Sequence, residues 1–230
     1  MNNSDRSTEA ASLVQEGRTL HRQGLMEQAK NIYLQAMGTQ PSHPEPHNLL
    51  GLVALQTNDT YVAAEFFRTA SALDPEKAEY QCNLGVCLYF LEEYDQSEQA
   101  LRQALSLNPD HHEAQASLGM LLEARGFLDH AAQALERAAS LSPENANILG
   151  KCAECQLRLG NHEQAASWAE KALALDNNEQ VALFALAKTL EHSGSLEQAK
   201  DTLQRLIDLE PNIASHQTQL ADLDRKIDQQ

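Results

Sequence analysis

Residues 78–111 read AEYQCNLGVCLYFLEEYDQSEQALRQALSLNPDH, and this stretch decides the fold class. Its apolar residues recur at near-helical spacing in two blocks, which predicts two amphipathic helices. The two blocks consist of Leu84, Val86, Leu88 and Leu91, followed by Leu101, Ala104, Leu105 and Leu107. A break from Glu92 to Asp95 separates them, so the stretch is typical of a helix, a tight turn and a second helix.

The same pattern returns every 34 residues along the chain. One position of the period holds only glycine or alanine, at Gly17, Gly51, Gly85, Gly119, Ala153, Ala187 and Ala221. Another holds alanine or serine, at Ala29, Ala63, Ser97, Ala131, Ala165 and Ala199. A third holds Pro41, Pro75, Pro109, Pro143 and Pro211, with Asn177 in the remaining place. A fixed period of this length predicts a stacked array of helical repeats.

Turn residues mark the ends of the predicted helices. Glycine stands at four of the breaks, namely Gly24, Gly126, Gly160 and Gly194, which predicts left-handed helix ends there. The pairs Asp74–Pro75, Asn108–Pro109 and Ser142–Pro143 predict a capping side chain followed by proline in the first position of a helix. Pro44 and Pro46 predict that the helix in their unit begins late.

These repeating positions resemble the tetratricopeptide repeat family. The second unit carries the family pattern in Leu50, Gly51, Ala54, Ala63, Phe67, Ala70 and Pro75, and the fourth in Leu118, Gly119, Leu122, Ala131, Leu135, Ala138 and Pro143. The resemblance covers residues 10–213 and implies an all-α fold, a right-handed superhelical solenoid of antiparallel helix pairs. The small residue of each first helix is expected to face the alanine of the second, so that the two backbones approach closely.

We expect six repeat units, at 10–43, 44–77, 78–111, 112–145, 146–179 and 180–213. Residues 1–9 are expected to form a disordered tail. Residues 214–230 are expected to form a C-terminal capping helix, with Leu220, Leu223 and Ile227 as its apolar stripe. The alternative is that this last segment is the first part of a seventh unit.

The charge balance disfavours two classes of partner. The chain has 17 Lys and Arg against 33 Asp and Glu, a formal charge of -16, whereas nucleic acids and anionic membrane surfaces bind Lys- and Arg-rich proteins. No stretch approaches the ~18–20 apolar residues of a membrane-spanning helix, and the amino terminus lacks a targeting pattern. We therefore expect a cytoplasmic protein with neither nucleic-acid nor membrane partners.

The family resemblance also implies a concave groove lined by the first helix of each unit. The candidate groove residues are Asn48, Leu49, Leu52, Leu55, Asn83, Val86, Tyr89, Phe90 and Met120, with Glu45, Glu79 and Glu113 as a ladder of carboxylates along the edge. This composition predicts a protein or peptide ligand with apolar anchors and basic side chains. Two alternatives stay open: the apolar residues pack against neighbouring repeats, and the glutamates stabilise the helix dipole.

Other kinds of site find little support in the sequence. The family's carboxylate clamp would need Lys or Arg where this chain has Leu52, Glu113 and Ser117, and its asparagine ladder finds only Asn83. Cys152 and Cys155 form a CxxC, but no second close pair lies in the same or an adjacent unit, so packing is expected rather than zinc binding. No phosphate loop or nucleophile elbow is present.

The sequence therefore predicts a non-catalytic interaction scaffold without cofactor or metal, which binds a peptide or helix of a partner protein in its groove. Two alternatives remain. The repeats could be the recruiting arm of a larger glycosyltransferase- or sulfotransferase-type enzyme, because the run at residues 41–59 is similar to repeats that precede such domains. They could also form a secretion chaperone for apolar segments of cargo.

Overall fold

The computed structural model describes residues 3–229, and the side chains of residues 5–229. About 80% of the chain is helical, and no strand lies among the described residues. The helices are α1 (Asn3–Arg22), α2 (Met26–Thr39), α3 (Pro44–Gln56), α4 (Thr60–Leu73), α5 (Ala78–Phe90), α6 (Tyr94–Leu107), α7 (His112–Ala124), α8 (Leu128–Leu141), α9 (Ala146–Arg158), α10 (His162–Leu175), α11 (Gln180–His192), α12 (Leu196–Leu209) and α13 (Ala214–Ile227). The prediction of an all-α fold built from helix pairs is confirmed.

The helix starts keep the period of the sequence. From α3 on, every odd-numbered helix begins 34 residues after the previous one, and α13 keeps this register at Ala214. Helix α3 begins at Pro44, not late, because the His43 ring accepts a hydrogen bond from the Glu45 amide at 3.3 Å and so caps the helix. The number of repeat units stays a prediction.

Helix α1 begins earlier than the sequence suggested. It starts at Asn3, whereas residues 1–9 were expected to form a disordered tail. Asp5 in the first turn favours this start, since a carboxylate there interacts well with the helix dipole. Residues 1 and 2 lie outside the described part of the chain.

The Asp–Pro and Asn–Pro pairs end helices and do not start them. Asp74 and Asn108 are the C-caps of α4 and α6, and Ser142 has the same place after α8. The next helix begins three residues after each proline. The Asp74 carboxylate accepts a hydrogen bond from the Glu76 amide at 3.3 Å. The predicted N-caps are therefore wrong, because the same residue types also build the turn between two helices.

The turns inside the pairs follow the sequence prediction more closely. The four glycines that were predicted to end helices have φ between +77° and +82°. In the two corresponding turns without glycine, Asn58 and Glu92 adopt the same left-handed conformation, at φ +59° and +60°. The turn geometry is thus common to all six places.

In the first four pairs, the glycine of the first helix packs under a large side chain of the second. A Cβ added to Gly51 would lie 2.7 Å from Cε1 of Phe67, and one added to Gly119 would lie 2.6 Å from Cγ of Leu135. The alanine that was expected to face the glycine is farther away. The Ala131 carbonyl oxygen would lie 3.2 Å from a Cβ added to Gly119. The glycine therefore makes room chiefly for the side chain 16 residues later.

The chain divides into two compact units, with the boundary inside α7 between Ser117 and Leu118. We call them the amino-terminal unit and the carboxy-terminal unit. Buried clusters form the core of each; in the first they include Val14, Tyr33, Leu50, Val53, Phe67, Leu84 and Leu88. In the second, Leu223 of α13 is buried among Leu183, Leu203 and Leu206, with Leu220 and Ile227 packed beside it. The predicted apolar stripe of α13 is therefore confirmed, while its role as a cap stays a proposal.

All four cysteines are buried free thiols. Burial raises the pKa of each to about 12, so the reactive thiolate is disfavoured at neutral pH. The interpretation of these residues as packing cysteines is confirmed.

We predict that Gly51→Ala destabilises the protein by ~1 to 3 kcal/mol, because the new methyl group overlaps the Phe67 ring. Gly38, the last residue but one of α2, has no atom within 4 Å of an added Cβ. Gly38→Ala is the control without overlap and should leave the stability unchanged or raise it by less than the ~0.5–1 kcal/mol typical of a helix interior. Urea unfolding followed by circular dichroism measures both. Equal effects of the two substitutions would contradict the close-packing account.

Candidate peptide-binding surface

The predicted groove residues of the amino-terminal unit differ widely in exposure. Asn48 and Leu49 are buried, which corrects the expectation that they line an open groove. The partly exposed members are Leu52, Leu55, Asn83, Val86 and Tyr89. Leu52 and Leu55 also pack on the core. Some of the predicted groove residues are therefore core residues, while others are partly exposed to solvent.

Asn48 joins α3 to α5 through its side chain. Its amide nitrogen donates to the Glu79 carboxylate at 3.3 Å, and its amide oxygen accepts from Asn83 at 2.8 Å. A buried amide needs such partners, because an unsatisfied polar group would cost stability. The role of Asn48 is therefore to align two neighbouring first helices.

Each carboxylate of the predicted ladder has a partner within the amino-terminal unit. Arg18 on α1 pairs with Glu45 at 2.5 Å, and Glu79 accepts from Asn48. His111 and His112 lie 3.0 and 3.3 Å from the two oxygens of Glu113. A basic ligand would have to compete with these contacts.

The potential at this edge is nevertheless negative. The pKa of Tyr80 is raised to about 12, first by burial and then by the charges of Glu45, Glu79 and Asp74. Arg18 acts in the opposite direction but does not outweigh them.

An aromatic cluster lies at the turn between α5 and α6. The rings of Tyr89 and Phe90 meet edge to face with centroids 5.3 Å apart, and Tyr94 lies 6.1 Å from Tyr89. Phe90 is 60% exposed, which is unusual for a phenylalanine with aromatic neighbours. Glu92 and Glu93 stand in the same turn. The cluster offers an apolar contact with acidic surroundings.

A cleft of about 400 Å³ opens beside α1 and α3 in the same unit. It is lined by Gln15, Arg18, His21, Arg22, Tyr33, Leu49 and Leu52. Arg18, His21 and Arg22 are not among the groove residues predicted from the sequence. Their spacing at i, i+3 and i+4 on one helix face would have predicted that they act together.

The carboxy-terminal unit presents a different surface, a series of ion pairs that sequence reasoning missed. Its pairs are Arg158 with Glu123 at 3.0 Å, Lys151 with Glu154 at 3.0 Å, Lys188 with Glu191 at 3.0 Å and Lys226 with Glu191 at 2.6 Å. The i,i+3 spacing of Lys and Glu was the available signal for two of them. Met120, the remaining groove candidate, is partly exposed in this unit.

The pKa values of two glutamates in these ion pairs are shifted in opposite directions. Burial raises the pKa of Glu123, helped by the charge of Glu154, and Arg158 only partly offsets this. Burial acts in the same way on Glu191, but hydrogen bonds from Lys226 and Lys188 outweigh it and lower its pKa.

The carboxy-terminal unit also holds the larger of the clefts described here. It has a volume of about 640 Å³ and includes His162, His192, Thr189 and Leu190 in its lining. The two imidazole rings stack with centroids 3.6 Å apart and an angle of 11° between the planes. Across residues 5–229, no group of three or more His, Cys, Asp or Glu side chains is placed to hold a metal ion.

Helix pairs that repeat every 34 residues from α3 on, with small residues at the crossing points, define a tetratricopeptide repeat protein. Within that class, the chain belongs to the family described as the cilia and flagella-associated protein 70 C-terminal domain, whose model matches residues 3–223. No curated protein sequence matches the chain. None of the helices described between residues 3 and 229 is both long and apolar enough to cross a membrane.

Several solved structures share the fold at low sequence identity. PilF of Pseudomonas aeruginosa has a TM-score of 0.82 and 20% identity, with 95% of this chain and 99% of that chain covered. Cut9 with Hcn1 from the APC/C has a TM-score of 0.86 and 15% identity, over 94% of this chain and 43% of that one. YrrB, a TPR protein with an unusual peptide-binding site, has a TM-score of 0.61 and 19% identity, over 81% and 96%. These likenesses establish the fold alone.

We predict that the stability of the carboxy-terminal unit depends on the protonation of Glu123. Since the folded-state pKa is raised above its ordinary value of 4.5, the protonated form favours folding. This contribution is complete below about pH 4.5 and is lost as the pH rises through the folded-state pKa. The free energy of unfolding of the wild type, relative to Glu123→Gln, should therefore fall as the pH rises above about 4.5.

Urea unfolding across this pH range measures the difference. The control is Glu144→Gln, because it makes the same change at an exposed carboxyl group that folding does not bury. A difference between the wild type and Glu123→Gln that does not change with pH would contradict the assignment.

Proposed function

We propose that this protein is a non-catalytic interaction module, which binds a peptide or helix of a partner protein on the first-helix surface of its amino-terminal unit. The observation that carries the proposal is the aromatic cluster of Tyr89, Phe90 and Tyr94, in which Phe90 is exposed and the two tyrosines are half-buried. Aromatic residues at a surface supply large contact areas for a partner and often dominate the binding energy. The four free cysteines fit a reducing compartment, and we place the protein in the cytoplasm.

The partly exposed Leu52, Leu55 and Val86 extend this surface on α3 and α5. Leu52 and Leu55 are held by the core below them, so a ligand that covers their exposed atoms meets a preorganised surface. A small apolar surface on a rigid scaffold suits the apolar face of a helix or alternate side chains of an extended peptide.

The basic side chains expected of the ligand would approach Glu79 and the acidic turn beside Phe90. Glu79 is exposed despite its hydrogen bond from Asn48. The raised pKa of Tyr80 supports a negative potential at this place. Exposed charges of this kind mainly accelerate association and add modest affinity.

The comparisons support the class of function. The matched family is a tetratricopeptide repeat domain, and YrrB, a neighbour in fold, is described as having a peptide-binding site. PilW, another neighbour, is described as a type IV pilus biogenesis factor. Binding to another protein, rather than chemistry, is the function that this fold and surface favour.

Peptides selected from a random library on the immobilised full chain serve as ligands. We predict that Phe90→Ala weakens their binding by ~2 kcal/mol or more, which is the level of a hot-spot residue. The melting temperature should change little because Phe90 is largely exposed. Phe127→Ala is the matched control, since Phe127 is 51% exposed at a turn of the other unit. Fluorescence anisotropy measures both affinities. Unchanged affinity in Phe90→Ala for every selected peptide would exclude this surface.

We also predict that Glu79→Lys slows the association of a basic selected peptide, more strongly at low salt, while the dissociation rate changes little. Glu76→Lys makes the same charge change in the neighbouring exposed turn and is the control. Stopped-flow fluorescence at two salt concentrations separates the rates. Equal association rates in the two variants would show that Glu79 does not face the ligand.

A further inference from the structure

The cleft beside α1 and α3 carries a charge opposite to that of the whole chain. The protein has a formal charge of -16, yet the side chains that line this cleft include Arg18, Arg22 and His21 and no carboxylate. Local charge decides what binds in a cleft, because fields from distant exposed charges are screened within about 10 Å at moderate salt. The cleft therefore differs from the acidic edge described above.

The two arginines are not equivalent. Arg18 is neutralised by Glu45 at 2.5 Å. Arg22, at the end of α1, is exposed, and no carboxylate among residues 5–229 pairs with it. Arg22 is thus the cation of this cleft that is free to bind an anion, with His21 beside it.

The Tyr33 hydroxyl is an independent sign of a missing partner. The Tyr33 side chain is fully buried and its hydroxyl has no hydrogen-bond partner among the described residues. Leaving a buried hydroxyl without a partner costs roughly 1–3 kcal/mol, so such groups are rare in folded proteins. The ring lies under Gly17 and lines the cleft. Because the hydroxyl is covered in the free protein, a ligand in the cleft can accept from this donor once the side chains over it move aside.

The floor of the cleft connects it to the surface proposed above. Leu49 and Leu52 line it, and Leu52 also packs with the core cluster beneath the groove. A peptide chain that lies over α3 and α5 can therefore place an apolar side chain on Leu52 and its next residues in the cleft.

From this arrangement we infer that the cleft binds an Asp or Glu side chain of an acidic segment in the partner peptide, next to an apolar residue. Arg22 forms the ion pair with the carboxylate, and the Tyr33 hydroxyl donates to one of its oxygens. This inference rests on the proposed function, since it concerns one end of the same surface. It adds the direction of the peptide: its acidic end lies at α1 and its basic end near the turn of α5 and α6.

The test uses three synthetic peptides and the full chain. All share the apolar core Leu-Leu-Phe with a Lys-Lys pair on its carboxyl side, and they carry Glu-Glu, Gln-Gln or Lys-Lys on its amino side. The reversed sequence of the first peptide tests direction, and an amidated carboxyl end removes the terminal carboxylate. Affinities are measured by fluorescence anisotropy at fixed salt.

We expect the Glu-Glu peptide to bind about tenfold more tightly than the Gln-Gln peptide, as is typical of one charge-assisted contact. Arg22→Gln should abolish this preference. Arg68→Gln, at an exposed arginine of α4 in the same unit, should leave it intact. Tyr33→Phe should also reduce the preference, although the free protein should melt at the same or a higher temperature because an unsatisfied hydroxyl has been removed.

The outcomes separate the two proposals. Equal binding of all three peptides, or tightest binding of the Lys-Lys peptide, would overturn the carboxylate site while the interaction function stands. If none of the three peptides binds, and the chain also selects no peptide from the library, both the proposed interaction function and the carboxylate site would be overturned. A third outcome is that peptides with a free carboxyl terminus bind more tightly than amidated ones, while the Glu-Glu pair has no effect. The site would then bind a chain terminus, and the inference as stated would be overturned.

Discussion

The close approach of the two helices in each pair is the constraint on which the rest of the structure depends. A first helix that carries glycine at the crossing point leaves room for a large side chain of the second, as with Gly51 and Phe67. In the third pair the contact is close enough for the Ser97 hydroxyl to donate to the Gly85 carbonyl at 2.7 Å. Because this contact fixes how the helices of a pair pack, it also fixes which side chains of the first helix remain outside the pair.

The two units use that remaining face in different ways. In the amino-terminal unit it carries amides, leucines and an aromatic cluster, with Asn48 joining α3 and α5. In the carboxy-terminal unit it carries partly exposed ion pairs such as Lys226 with Glu191. Solvent-exposed ion pairs contribute little to stability and less to apolar binding, so a ligand gains more contact area in the amino-terminal unit. The packing scaffold is shared, while the surface chemistry is specific to each unit.

The fold could be predicted from the 34-residue period of the sequence. The contacts of the surface side chains could not, because the sequence does not specify which of them pair with each other. The 34-residue period gave the helix pairs and the left-handed turns at Gly24 and its equivalents, since both depend on local residue type. The caps at Asp74 and Asn108 were misassigned because the same side chains cap a turn and start a helix. The pairing of Arg18 with Glu45 joins residues 27 apart in the chain, and no local pattern specifies which neighbour a flexible side chain will meet.

The comparison of Glu45 with Arg22 shows why net charge is a poor guide to the ligand. A formal charge of -16 points to basic partners, yet the carboxylates at the groove edge are already engaged by Arg18, by Asn48 and by histidines. An ion that has a partner loses much of that interaction when a ligand replaces it, so its net contribution to binding is small. An ion without a protein partner, such as Arg22, gives up only its hydration when a ligand binds, so it loses less in forming the new ion pair. Binding preference on this surface therefore follows from the groups that the fold leaves unpaired, and not from the sum of the charges.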